Sequence, residues 1–101
     1  MAYIGRFATV SPGVAIHPRA VIRGLATIYK QDDILVLSPV EGAWITAHRD
    51  AQLGVRVVRT LHHGPMAEYE ARFEACCEYD PVRIAAYRAA IAKIKTHFGL
   101  E

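Results

Sequence analysis

Residues 4–40 read IGRFATVSPGVAIHPRAVIRGLATIYKQDDILVLSPV, and every sixth position is aliphatic: Ile4, Val10, Ile16, Ile22, Ile28, Ile34 and Val40. A second register follows four residues behind, at Ala8, Val14, Ala20 and Ala26, which are small and apolar. A fixed short period is the signature of a repeat architecture. In such an array each hexad is a short strand plus a corner, and three hexads close one triangular coil. The aliphatic residue points inward and stacks on its equivalent in the next coil. Ile4 then lies under Ile22 and Val40, Val10 under Ile28, and Ile16 under Ile34. Pro12-Gly13, Pro18 and Gly24 punctuate the turns.

After this segment the period changes. Ile34-Leu35-Val36-Leu37 is a continuous apolar run, the pattern of a buried strand, and Ser38 to Gly42 breaks it. Ala43 to His48 and Val55 to Thr60 are rich in strand formers, with a turn at Asp50 to Gly54 between them. Three short strands joined by turns predict an antiparallel meander. A helix is expected after Gly64-Pro65, with Met66, Tyr69, Phe73 and Cys76 on one apolar stripe. A second is expected after an Asp80 cap and Pro81. Its stripe is Ile84, Tyr87, Ile91, Ile94 and Phe98, and Gly99 is its stop. The expected fold is therefore α+β: a short left-handed parallel β-helix of about two coils over residues 1–40, then a meander and two C-terminal helices over 41–101.

The hexad phrase SPGVAIHPRAVI resembles the hexapeptide-repeat, left-handed β-helix superfamily of bacterial transferases. That resemblance implies trimers, or pairs of trimers. In that superfamily a histidine acts as general base, which draws attention to His17. Residues 34–98 resemble small uncharacterised proteins of phages and mobile elements in the order of strand, TAHR strand, VRV strand, GPMAEYEARF helix and AAYRAAI helix. Those proteins carry a Gly-Ser-Arg loop and a Cys-Phe pair where this chain has Pro39 to Gly42 and Leu61-His62. By analogy with phage sponges that sequester nucleotide immune signals, this second resemblance implies an anti-defence role.

The chain has 101 residues and a net charge of +2, a balance that does not point to nucleic acid. No apolar run approaches the roughly 20 residues of a membrane span. The start lacks a signal-peptide layout, and Cys76 and Cys77 are adjacent, unsuited to pairing with each other. A cytoplasmic location is expected. His62 and His63 stand at a strand–helix junction, with Arg49, Arg56 and Arg59 on the preceding strands and Arg83 and Arg88 on the second helix. Guanidinium and imidazole groups near a helix start suit a phosphate or nucleotide. No metal set, phosphate loop, catalytic triad or paired carboxylates stand out, so no cofactor is expected. The expected function is a non-enzymatic homo-oligomer that binds a small anionic ligand. The competing readings are an acyltransferase and a protein-interaction inhibitor of host defence.

Overall fold

The computed structural model describes residues 2–40, 43–59, 62–77 and 81–100, with side chains for all of these but 40, 62 and 73–77. Four short strands come first: β1 (Tyr3–Ile4), β2 (Thr9–Val10), β3 (Val21–Ile22) and β4 (Thr27–Ile28). A 3-10 turn at Gln31–Asp33 leads into β5 (Ile34–Val40), β6 (Ala43–Asp50), β7 (Gly54–Arg59) and β8 (His62–Pro65). Helices α1 (Met66–Cys77) and α2 (Pro81–Phe98) complete the described chain.

The expected left-handed β-helix does not form. Two parallel ladders of two residues each are present, β1 on β3 with Ile4 beside Ile22, and β2 on β4 with Val10 beside Ile28. A coil needs a third face, and among the described residues none exists. Ile16 lies in no strand, Ile34 pairs antiparallel with His48, and Val40 pairs with Ala43 instead of lying over Ile22. The cause is competition for residues 34–40. A seven-residue strand joined by a short connection to an eight-residue partner gains a long antiparallel ladder at little loop-closure cost. A third parallel face would have offered a pairing of about two residues. Where Ile16 would have paired with Ile34, the Gln31 side-chain amide instead bonds Ala15 in both directions, each at 2.9 Å.

β5 to β8 make a four-stranded antiparallel sheet in sequence order, so the meander extends one strand beyond the three expected. β8 escapes a propensity reading because it is four residues, HHGP, with the glycine and proline that normally mark turns. Pro65 tolerates its place as the last residue of an edge strand, where its missing N–H is not needed.

The sheet is covered on both faces. On one, Ile45, Ala47, Val55 and Val57 pack against Met66, Tyr87, Ala90, Ile91, Ile94 and Phe98, the buried stripe of α2 and the start of α1. Phe73 and Cys76 of the expected α1 stripe have side chains outside the described residues. α2 ends as its sequence requires: Gly99 takes φ +71, and Leu100 N–H donates to Lys95 O at 2.8 Å and Gly99 N–H to Thr96 O at 3.4 Å. On the other face lies a second cluster of Ala20, Ile22, Ala26, Ile28 and Ile34, contributed mostly by residues 2–31. The small-residue register of the hexads is thus inward-facing at Ala20 and Ala26, although the layer is not a coil.

Candidate functional site

The N-terminal layer meets the sheet through alternate residues of β6. Thr46, His48 and Asp50 share one face, and all three are buried. Thr46 Oγ1 accepts from Val21 N–H at 3.0 Å, and His48 Nε2 accepts from Arg23 N–H at 3.3 Å. Ala51 N–H donates to Leu25 O at 2.8 Å. These contacts satisfy backbone groups of Val21, Arg23 and Leu25, in β3 and the turn after it, next to an isolated antiparallel bridge between Ala26 and Asp50. His48 Nδ1–H donates to Arg49 O at 2.9 Å, so Nε2 is free to accept and the ring is neutral. Burial pushes its pKa down. Arg56 and His63 add to that, while the bond to Arg49 O and the charge of Asp50 oppose it.

Asp50 is the most heavily used carboxylate on this face. Oδ1 accepts from Gln52 N–H at 2.8 Å and Leu53 N–H at 3.0 Å, and Oδ2 from Arg56 Nε at 2.7 Å. Burial alone would raise its pKa. The Arg56 hydrogen bond and the two backbone N–H groups outweigh burial and hold it below the ordinary carboxylate value. The Asp50 side chain is 0% exposed and that of Arg56 8%, so this is a buried ion pair. Gly24 lies directly against the Arg56 guanidinium, at φ +64. Arg56 also donates to His63 Nδ1 at 2.7 Å.

Six of the seven residues expected to gather on an anion are therefore distributed over three places. Arg56 and His63 lie on the face toward the N-terminal layer, with Arg56 neutralised by Asp50. Arg49 and Arg59 lie on the helix face. Arg49 stands 5.0 Å above the Phe98 ring and its Nη2 donates to Phe98 O at 3.5 Å, a cation placed at the C-terminus of α2. Arg59 stands 5.4 Å above the Tyr87 ring. Arg83 and Arg88 are on α2, half-buried and exposed respectively. The His62 side chain falls outside the described residues, although its backbone pairs with Arg59. The helix start expected to receive an anion already holds one: Glu68 sits in the first turn of α1, and a Cβ built on Gly64 would stand 3.1 Å from its Oε2. Cys76 and Cys77 side chains lie outside the described residues. His17 is exposed with its ring centroid 4.9 Å from that of Trp44, and its Nδ1 accepts from Arg19 N–H at 2.9 Å. Among the described residues no three metal-ligating side chains come together. Among them, too, no helix is long and apolar enough to cross a membrane.

A different concentration of cationic and aromatic groups emerges on the N-terminal layer. Tyr3, Ile4 and Phe7 are 52%, 50% and 69% exposed. Arg23 lies 5.0 Å above the Tyr3 ring and Arg6 5.7 Å from that of Phe7. Residues 1–31 contain Arg6, Arg19, Arg23 and Lys30 and no carboxylate. The charge bias was present in the sequence, but the exposure of Tyr3, Ile4 and Phe7 was not, because the hexad pattern assigned Ile4 to an interior. Comparison with family models, with curated proteins and with solved structures finds no match for this chain.

Proposed function

We propose that this chain is a non-catalytic binding protein that self-associates through the outer face of its N-terminal layer and holds a small planar anion there. One observation carries the reading: Tyr3, Ile4 and Phe7 stand in water beside guanidinium groups, in a stretch of 31 residues without a carboxylate. Large apolar side chains left in water favour burial against a second copy. Two cations set beside rings, in a segment without carboxylates, produce a positive potential at that face, and a bound anion offsets the repulsion between two such faces. Rings and guanidiniums together suit a base and its phosphate. A nucleotide sponge of the phage kind is this reading with the ligand's role specified, since sequestration needs affinity and no reacting group. The acyltransferase reading depended on stacked β-helix coils and loses its support with them.

The test is thermal melting with ATP, cyclic dinucleotides and ADP-ribose, with adenosine as the uncharged control. A ligand at a hundredfold its Kd adds about 2.7 kcal/mol to stability. The expected result is a higher melting temperature with the phosphate-bearing compounds alone, abolished in Arg6→Ala/Arg23→Ala and weakened by 0.5 M salt. Equal shifts with adenosine, or shifts that survive the double variant, refute the site.

A further inference from the structure

The sheet has two edges of unlike character. β8 is four residues long and closes with Gly64 and Pro65, which discourage further pairing. β5 presents Ile34-Leu35-Val36-Leu37, with no charge and no proline, and its protecting features come only beyond Leu37, as a register shift and Pro39. Among the described residues no strand lies on the outer side of β5. Every second residue of an edge strand turns its N–H and C=O outward, so β5 offers a template for another strand.

Beside this edge runs an open groove of about 450 Å³, lined by Leu35, Leu37, Ala92, Lys93, Thr96 and His97. Its floor is the two half-buried leucines and its wall is one side of α2. His97 Nε2–H donates to Asp32 O at 2.8 Å, which ties the helix to the turn before β5 at one end of the groove. α2 contains no carboxylate at all, while it carries Arg83, Arg88, Lys93, Lys95 and His97. Lys95 is neutralised by Glu70 at 2.7 Å. Arg88 and Lys93 are exposed, and Arg88 shares a helical row with Ala92 and Thr96.

We propose that the groove between β5 and α2 receives an extended acidic segment of a partner protein, which adds as a fifth strand on β5 and sets its carboxylates against Lys93 and Arg88. Main-chain hydrogen bonds to the edge supply part of the affinity, and every second side chain of the added strand falls on the α2 side of the sheet, where Leu35, Leu37 and Lys93 lie. The carboxylates belong at the Lys93 end, because Asp32 stands beside His97 at the other. A second copy is a poorer occupant, because two-fold pairing of β5 with itself brings two carboxylate-free helices toward each other.

The test uses two labelled peptides, Thr-Val-Glu-Val-Glu-Val-Asp-Thr and the same sequence with lysine at each acidic position, with binding followed by fluorescence anisotropy and amide exchange. The expected result is binding of the acidic peptide at least tenfold tighter at low salt, with slowed exchange at residues 34–38. Arg88→Glu/Lys93→Glu, both on exposed positions, is expected to reverse the preference. Arg6→Ala/Arg23→Ala is expected to leave it unchanged, which separates this groove from the N-terminal face. Equal binding of the two peptides, no binding, or binding without slowed exchange on β5 overturns the proposal. So does exchange on β5 that is already slow without peptide and accelerates on dilution, since a second copy is then the occupant.

Discussion

Replacing Asp50 with asparagine removes one charge and almost no volume, and the buried geometry makes the consequence large. Arg56 remains 6% exposed with no carboxylate to neutralise it. The asparagine cannot serve both sets of donors. If its oxygen faces the N–H groups of Gln52 and Leu53, its NH2 meets Arg56 Nε, and if it is turned round the conflict moves to the backbone side. Removing one partner of a buried pair costs about 3–5 kcal/mol, against a total stability of about 5–15 kcal/mol for a domain of this kind. With a urea slope of about 1–3 kcal/mol/M, the unfolding midpoint falls by about 1 M or more. The double variant Asp50→Asn/Arg56→Met removes the stranded charge as well and is expected to recover a large part of the loss. Urea melts of wild type, single and double variants at pH 7.5 measure all three. A single variant within about 1 kcal/mol of wild type, or a double variant no better than the single, refutes the assignment of Asp50 and Arg56 as a dry, mutually dependent pair.

His48 is held neutral with a depressed pKa, so the unfolded chain takes up a proton first as pH falls below about 6.5. Stability is full above that pH and declines below it, by at most about 1.4 kcal/mol per pH unit. His48→Gln is expected to flatten urea midpoints between pH 7 and 5. Asp50 contributes in the same direction in a lower window. Its depressed pKa gives stability above about 3.8 that is lost on further acidification, and Asp50→Asn removes that component. Gly24→Ala and Gly99→Ala both place a Cβ at positive φ, but only at Gly24 does it collide, with the Arg56 guanidinium. Gly99→Ala is expected to cost about 1 kcal/mol and Gly24→Ala clearly more, and equal costs in thermal melts exclude the contact. Ile28→Ala, at a fully buried position of the N-terminal cluster, is expected to cost about 2–5 kcal/mol in the same melts.

The elements that were legible in the sequence have a single buried face and a length to match. The α2 stripe of Ile84, Tyr87, Ile91, Ile94 and Phe98 packs as its spacing predicts, and Gly99 stops the helix. The strands over 34–37, 43–48 and 55–59 lie where β-branched and aromatic residues concentrate. β6 misleads for a physical reason. Its alternation of Ile45 and Ala47 with Thr46, His48 and Asp50 reads as one dry face and one wet face. The polar residues are buried as deeply as the others because they serve backbone and guanidinium groups of neighbouring segments. Polarity signals the need for hydrogen-bond partners, and water is only one source of them.

The hexads mislead differently. Spacing reports which side chains can stack, and Ile4 with Ile22 and Val10 with Ile28 do align. Spacing says nothing about whether residues 34–40 have a better partner elsewhere, and β6 supplied one. The expected anion site failed on facing. Arg49, Arg56 and Arg59 lie on consecutive strands, but the register sets Arg56 on the opposite side of the sheet from the other two. A one-residue difference in parity therefore decided what a count of cations could not.

The proposed function requires that the exposed side chains of residues 2–31 be covered by another copy of the chain. Sedimentation equilibrium across the micromolar range, on wild type and on Ile4→Ser/Phe7→Ser, tests this most directly, because both side chains are exposed in the single chain and their loss spares its core. The expected result is a wild-type mass that is a multiple of 11.2 kDa and a folded variant at 11.2 kDa. A wild-type protein that stays at 11.2 kDa throughout, or a variant that associates as well as wild type, contradicts it.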